Sequence, residues 1–364
     1  MKTRIAKLRQ YLAAENLDAA FVAILDAGHT ILAPSVRYLT GFSGTDGSLF
    51  VTQKSSTFLS DSRYTDQARL QVKGSKVVIS AKYAIQALED VKEAQVKNIR
   101  VAIEAARLTI EQKKNLQAAM PNAILVDKTG MIEDMTLIKD AGEIEKIRAA
   151  VRVSDEAFIR ILSIIKPGVR EKDIAAELEY QMKMLGAEKE SFDTIVASGY
   201  RAAMPHGAAS AKKVKKGEFI TLDFGAIVDG YVSDITRTVV LGKATPRHKK
   251  IYDIVAKAQM AAIRKVRAGV SGKAVDAAAR DIIVKAGYGK NFGHGTGHGI
   301  GLEVHGGPRV SRLSTQILEA NMVVTIEPGI YISGWGGVRI EDDVVVRSKG
   351  CEVLNKAPKK LLEL

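Results

Sequence analysis

The chain has 364 residues, with 54 Lys and Arg against 41 Asp and Glu, a formal charge of +13. Its 46% apolar and 26% charged composition is ordinary for a globular protein and excludes disorder as the main state. The single cysteine, Cys351, excludes an internal disulfide framework and a cysteine-rich zinc module.

Glu15 and Asp18 interrupt the N-terminal segment, so no signal-peptide core is expected there. No run reaches the roughly 18 apolar residues of a membrane helix. With the lone cysteine, this gives the expectation of a cytoplasmic protein. The length suggests two domains. Residues 2–14 are predicted helical, with Leu8 and Leu12 at helix spacing. Residues 19–25 read as a buried strand, and 48–52 with 56–59 as a hairpin. A helix over 66–71, strands over 76–79 and 101–104, a helix over 110–118 and an extended run over 123–126 follow. Such alternation predicts an α/β layer domain over residues 1–130. Asp127-Lys-Thr-Gly130 reads as a turn and linker.

Residues 131–364 read as a second, α+β domain. A long helix is predicted over 141–165, and another over 172–185 that stops at Gly186, a good C-terminal cap. Strand-like runs follow at 219–227, 231–241, 323–332 and 338–347. The segment contains an internal repeat. Lys166-Pro-Gly-Val169 precedes the helix ending at Gly186, and Arg267-Ala-Gly-Val270 precedes one ending at Gly287, an offset of 101 residues at both marks. Each unit is followed by paired strands carrying two acids, Asp223 and Asp234 in the first, Glu327 and Glu341 in the second. The expectation is a pseudo-two-fold domain with the acidic pairs facing each other.

Asp229-Gly230 is a hairpin signal that sets Asp223 opposite Thr236 and leaves Asp234 on the same face. Two carboxylates on one buried face repel, and a divalent cation relieves both repulsion and burial cost. A second cluster, Phe292-Gly-His294-Gly-Thr-Gly-His298-Gly-Ile-Gly-Leu-Glu-Val-His305, holds three of the six histidines. Its glycines permit close backbone approach, but it lacks the Lys-Ser/Thr ending of a phosphate loop. In the third cluster Glu327, Tyr331, Arg339 and Glu341 lie in strand-like sequence, with Arg339 and Glu341 on one face. Two Asp, two Glu and a His suit hard or borderline divalent ions, Mn²⁺ ahead of any thiolate-seeking metal. Four carboxylates over-neutralise a single ion, so two ions with bridging carboxylates are expected.

Asp223-Phe-Gly, Ser-Asp234-Ile-Thr-Arg-Thr, His294-Gly-Thr-Gly-His298-Gly-Ile-Gly-Leu, Ile-Glu327-Pro-Gly and Arg-Ile-Glu341-Asp together resemble the dinuclear "pita-bread" metallopeptidases. Within them the chain is most similar to the Xaa-Pro peptidases, aminopeptidase P and prolidase. Arg37-Tyr-Leu-Thr-Gly-Phe-Ser-Gly44 and Asp61-Ser-Arg-Tyr64-Thr-Asp-Gln-Ala68 resemble the creatinase-type N-terminal domain of those enzymes. The resemblance implies that Asp223 chelates one metal, Asp234 and Glu341 bridge two, and His298 and Glu327 complete the other. It implies a metal-activated water as nucleophile, with Glu327 as proton shuttle to the proline nitrogen. His206, in Met-Pro-His-Gly, and His305 resemble histidines that polarise the substrate carbonyl. His294 resembles a wall of the proline pocket, and Tyr331 and Arg339 lie beside the site. The ions implied are Mn²⁺, with Co²⁺ or Zn²⁺ as alternatives, and the assembly a homodimer. Gly306 after His305 departs from the acidic residue of many relatives.

The expected function is hydrolysis of the bond between an N-terminal residue and proline, with a proline-containing peptide as substrate. A dipeptidase is the alternative. A metal-free creatinase-like amidinohydrolase conflicts with the intact ligand set. A dead scaffold binding nucleic acid or protein is a remoter alternative, motivated by Lys212-Lys213-Val-Lys215-Lys216 and Arg247-His-Lys249-Lys250. No nucleic-acid motif or aromatic interleaving accompanies these stretches, so neither nucleic acid nor membrane is expected as a partner.

Overall fold

The computed structural model describes residues 2–24, 34–82 and 85–364. The chain divides into two compact units, Met1–Thr136 and Leu137–Leu364. Among the described residues no helix is long and apolar enough to cross a membrane.

The first unit is built on one mixed sheet. Its spatial order is Lys76–Ser80, Ser56–Asp61, Gly47–Thr52, Ala19–Ile24, Arg100–Glu104, Ile124–Lys128. Gly47–Thr52 and Ser56–Asp61 pair antiparallel as the expected hairpin, and Arg100–Glu104 runs parallel to both its neighbours. Of the 19–25 run, Leu25 lies outside the described residues. Helix Lys2–Ala14 buries Ile5, Leu8 and Leu12, one stripe at three- and four-residue spacing. Helix Ile110–Ala119 opens on a capping box at Thr109 and Gln112, and its Leu116 joins Phe21, Phe50, Leu59, Val101 and Ile103 in the core. The sequence reading missed the short helix Pro34–Thr40. Asp127 and Lys128 belong to the last strand rather than to a turn. That strand is a sheet edge, where polar side chains are tolerated, and Asp127 pairs there with Lys113 at 2.7 Å.

The second unit uses one plan twice. Helices Ala141–Ile161 and Glu171–Met184 accompany a three-stranded antiparallel sheet ordered Ile235–Val240, Phe219–Phe224, Ile195–Ser198. Helices Pro246–Lys265 and Gly272–Lys285 accompany a five-stranded sheet ordered Gly306–Val310, Gly297–Gly299, Val323–Ile326, Asp342–Arg347, Gly350–Val353. The second helix of each half ends alike. Gly186 and Gly287 take φ of 101° and 88°. The following N–H of Ala187 reaches back to Met182 O, and that of Tyr288 to Ile283 O, each at 3.0 Å. These are Schellman caps, 101 residues apart, and they make the repeat physical. Asp140 and Thr245 give both long helices a capping box.

Two differences from the sequence reading bear on the site. The first long helix stops at Ile161 rather than at 165. The four strand-like runs are each broken in two. Phe219–Phe224 is separated from Ala226–Val228 at Gly225, and Tyr231–Val232 from Ile235–Val240 at Ser233 and Asp234. Val323–Ile326 is separated from Gly329–Ile332, and Gly336–Arg339 from Asp342–Arg347. Gly225 makes the first break possible, since a Cβ there would lie 1.9 Å from Ser233 O.

Candidate active site

The Asp229-Gly230 turn has positive φ at both residues, 49° and 77°, as a two-residue hairpin requires. Beyond it Asp223 stands directly opposite Thr236. Three of the four expected acids sit in the strand breaks. Asp234 precedes Ile235–Val240, and its N–H donates to Asp343 Oδ2 at 3.0 Å. Glu327 follows Val323–Ile326, and its N–H donates to Thr296 O at 2.8 Å. Glu341 precedes Asp342–Arg347; its N–H donates to Thr236 O at 3.1 Å, and Thr236 Oγ1 donates to its Oε2 at 2.6 Å. A break frees a side chain from strict up-and-down alternation, so these carboxylates turn inward together.

His298 lies in the short strand Gly297–Gly299, its N–H donating to Thr325 Oγ1 at 3.1 Å. Its glycine neighbours are sterically required. A Cβ on Gly297 would lie 1.9 Å from Thr325 O, and one on Gly299 1.7 Å from Gly307 O.

Asp223, Asp234, His298, Glu327 and Glu341 line a single cavity of about 650 Å³, together with His206, His294, His305 and Arg339. His298 Nε2 lies 3.6 Å from Asp234 Oδ2 and 3.5 Å from Glu327 Oε1. Asp234, His298 and Glu341 offer ligand atoms within 4.8 Å of one another. Burial, then repulsion from Glu341 and Asp223, holds the Asp234 carboxyl well above its ordinary range. Burial, then Glu327 and Asp223, does the same to Glu341. Burial lifts Glu327 to about 7, with Arg339 opposing and Asp223 adding. Burial pushes His298 down to about 3, with His305 next in effect, so its imidazole is neutral. Glu341 Oε1 is buried without a hydrogen-bond partner among the described residues. Repelling buried carboxylates, an orphaned carboxylate oxygen and a neutral imidazole fit a divalent-cation centre, with no thiol in the set.

Arg339 organises one wall. Its Nη2 donates to Asp223 Oδ2 at 2.5 Å, its Nε to Thr236 Oγ1 at 2.9 Å, and its Nη1 to Tyr331 Oη at 2.8 Å. Tyr331 Oη lies 2.8 Å from His294 Nε2, and His294 Nδ1 lies 2.7 Å from Gly295 O. The carbonyl assigns the proton to Nδ1, so Nε2 accepts from tyrosine. Burial lowers His294 to about 4 and raises Tyr331 to about 12, so both are neutral in this chain. Tyr331 is buried behind His294 and reaches the site through these bonds. His206 and His305 are exposed at the cavity, and the His305 ring lies 4.6 Å from that of His298.

Several cavity residues carried no mark in the sequence: Phe192, Ile195, Arg309 and Ser311. Arg237 was missed too. It is 1% exposed, donates to Thr236 O and Glu341 O, and pairs with Asp342 at 2.8 Å, beneath the ligand cluster. Only the Arg within Ser-Asp-Ile-Thr-Arg-Thr hinted at it, since an Arg in an apolar strand needs a buried partner.

The comparisons agree over both units. Residues 4–138 match the creatinase/prolidase N-terminal domain. The chain is 36% identical over 367 residues to an Xaa-Pro dipeptidase of Pyrococcus horikoshii, covering 100% of this chain and 99% of that one. It is similar to the solved Xaa-Pro dipeptidase of Bacillus anthracis, with TM-score 0.92, 42% identity, and 100% and 99% of the two chains covered. It is similar also to the X-Pro aminopeptidase of Thermotoga maritima, with TM-score 0.91, 38% identity, and 99% and 100% covered. Residues 145–348, which carry all five candidate ligands, match metallopeptidase family M24, and the chain belongs to that family.

Proposed function

We propose that the protein is an Xaa-Pro aminopeptidase, hydrolysing the bond between an N-terminal residue and a following proline. The meeting of four carboxylates and one imidazole in one cavity carries this reading. Asp223, Asp234, His298, Glu327 and Glu341 would hold two divalent cations, Mn²⁺ first and Co²⁺ or Zn²⁺ next, with Asp234 and Glu341 the expected shared ligands. Such a pair, when bound, polarises a carbonyl and makes water nucleophilic at neutral pH.

The side chains do the rest. Glu327 takes a proton from the attacking water and passes it to the departing proline nitrogen. Like any amide nitrogen it must gain a proton to leave, and as a tertiary amide it offers no N–H for the site to hold. His206 and His305 donate hydrogen bonds to the oxygen on which charge develops. His294, kept neutral and braced by Tyr331, presents a flat wall to the proline ring. Arg339 holds Asp223 in place and balances its charge.

Arg309 favours a second reading, an Xaa-Pro dipeptidase. It is an exposed guanidinium on the same cavity, suited to a free carboxylate just after proline. Ala-Pro and Ala-Pro-Ala, offered to protein stripped by chelator and reloaded with Mn²⁺, separate the readings. Cleavage of the tripeptide after reloading is expected. Cleavage of Ala-Pro alone overturns the aminopeptidase reading, and full activity after stripping overturns the metal centre. A cytoplasmic homodimer belongs to the proposal through the family resemblance, and light scattering on the purified chain tests the dimer. The basic stretches are partly engaged in local contacts. Lys212 pairs with Glu218 at 2.7 Å, and Arg247 stacks 4.1 Å over Trp335.

A further inference from the structure

We propose that each half of the catalytic unit fixes its histidine-bearing segment with a buried carboxylate–arginine clamp: Glu171 with Arg201 for His206, and Asp276 with Arg280 for His294. The roles of the two histidines rest on the peptidase reading above; the clamps themselves do not.

Both segments have little backbone structure of their own. His206 lies between the turn Gly199–Ala203 and strand Phe219–Phe224, and His294 between Gly289–Asn291 and strand Gly297–Gly299. Outside a strand ladder, these segments are held by side chains together with a few backbone bonds, such as Lys172 N–H to Ser210 O at 3.0 Å. Glu171 opens helix Glu171–Met184 and is fully buried. Its Oε1 accepts from the N–H and the Oγ of Ser198, each at 2.8 Å. Its Oε2 accepts from Arg201 Nε at 2.9 Å and from the N–H and Oγ of Ser210 at 3.1 and 2.6 Å. Arg201 Nη2 then donates to Ala208 O at 2.5 Å. One carboxylate thus ties down both ends of the segment that carries His206.

Asp276, in helix Gly272–Lys285, is 1% exposed. Its Oδ1 accepts from the N–H and Oγ1 of Thr296 at 3.2 and 2.8 Å. Arg280 engages it through Nε and Nη2 at 2.7 and 2.8 Å. The same guanidinium donates to Phe292 O at 3.0 Å and to His294 O at 2.7 Å, and lies 4.0 Å over the Phe292 ring. The two clamps share a plan. A carboxylate on the second helix of each half receives the N–H and hydroxyl of a hydroxyl residue, Ser198 and Ser210 on Glu171 and Thr296 on Asp276. An arginine takes the other oxygen through Nε and spends an η nitrogen on a carbonyl of the segment. Buried ion pairs add little net stability over apolar replacements, so what this arrangement supplies is geometry. The planar fork of arginine meets carboxylate and carbonyls at once, which a lysine ammonium does not.

Glu171→Gln and Asp276→Asn keep shape and remove one acceptor each. The test measures KM and kcat of full-length Mn²⁺-loaded variants on Ala-Pro-Ala, and ¹H–¹³C histidine-ring spectra of the metal-free proteins. Asp276→Asn is expected to raise KM about tenfold with kcat held within about twofold, because His294 walls the proline pocket. Glu171→Gln is expected to lower kcat about tenfold with KM nearly unchanged, because His206 acts on developing charge. The His294 resonances shift in the first variant alone and the His206 resonances in the second alone. If either variant fails to fold, Thr296→Val or Ser210→Ala, each losing one hydroxyl donor, carries the test with a smaller change in the same direction. Equal losses of kcat in both variants, with unmoved histidine resonances, overturn the clamps. Resonances that shift in the variants as stated, beside a wild type that cleaves no Xaa-Pro substrate, uphold the clamps and overturn the peptidase reading.

Discussion

Glu341→Gln is expected to stabilise the metal-free protein and to weaken the metal-loaded one. Glu341 is 2% exposed and lies with Asp234 and His298 inside a 4.8 Å group of ligand atoms. Two carboxylate charges at that separation repel by about 3 kcal/mol at an effective dielectric of about 20. Proton uptake already relieves part of this, since burial and the neighbouring acids hold the Glu341 carboxyl well above its usual range. About 3 kcal/mol is therefore an upper figure. Glutamine keeps the acceptor for Thr236 Oγ1 and turns an amide donor toward the other acids from the orphaned Oε1 position. At roughly 2–4 °C per kcal/mol for a unit of this size, the metal-free melting temperature rises by up to about 12 °C. In Mn²⁺ at about 1,000 times its Kd each of the two proposed sites adds about 4.1 kcal/mol to wild type, and a variant that loses one of them forgoes about 4.1 kcal/mol, more than the repulsion it relieves. Melting of both proteins at pH 8, with chelator and with Mn²⁺, reads this out as an inverted order of stability. A metal-free variant that melts at or below metal-free wild type refutes the reasoning.

The same electrostatics give a pH signature. Glu327 binds its proton more tightly folded, at about 7, than unfolded, at about 4.5. The Glu327 contribution to metal-free stability is therefore intact below about pH 4.5 and falls by about 3 kcal/mol as pH rises through 7, while the buried neutral His294 and His298 act in the opposite sense below about pH 6.5; urea titrations of wild type and Glu327→Gln across that window isolate it as their difference, and a difference that does not grow with pH would contradict it. Arg309→Ala should raise KM for Ala-Pro about tenfold and change that for Ala-Pro-Ala little, as a receptor for a dipeptide carboxylate would; equal effects in steady-state assays remove it from that role. Gly297→Ala puts a Cβ 1.9 Å from Thr325 O and should cost about 3 kcal/mol in urea unfolding, at the upper end of overpacking; an unchanged midpoint means the strand pair can part without penalty.

Local chemistry made much of this molecule legible in its sequence. Gly186 and Gly287 mark helix ends because a left-handed residue is needed there, and Asp229-Gly230 fixes the Asp223–Thr236 register because a two-residue hairpin admits few alternatives. The breaks at Asp234, Glu327 and Glu341 were not legible. Apolar alternation runs on through them, and only the close approach of Gly225 to Ser233, or of Gly297 to Thr325, shows why the chain must turn aside. Arg237, Glu171 and Arg280 were invisible for a different reason. A buried charge is recognised by its partner, and Asp342 lies 105 residues from Arg237 and Ser210 39 from Glu171, while Arg280 and Asp276 four residues apart read as an ordinary exposed helix pair.

The breaks and the buried charges explain each other. Asp223 and Asp234 come from one half of the repeat, and Glu327 and Glu341 from the other. Neither half alone brings four carboxylates together, so packing of the halves adds repulsion between them, as of Asp234 with Glu341, to that within each. Neutral contacts across the halves partly offset it: Thr236 Oγ1 donates to Glu341 Oε2, and Glu341 N–H donates back to Thr236 O. Arg237 adds a compensated charge by pairing with Asp342 and donating to Glu341 O. None of these reaches the ligand oxygens that face the cavity, and Glu341 Oε1 is left unpartnered. A cation held by Asp234 and Glu341, as proposed, would act on that remaining term and would join residues of opposite halves. On that proposal metal binding and cohesion of the two halves are one thermodynamic event, and a single substitution at Glu341 is expected to reverse sign between the metal-free and loaded states.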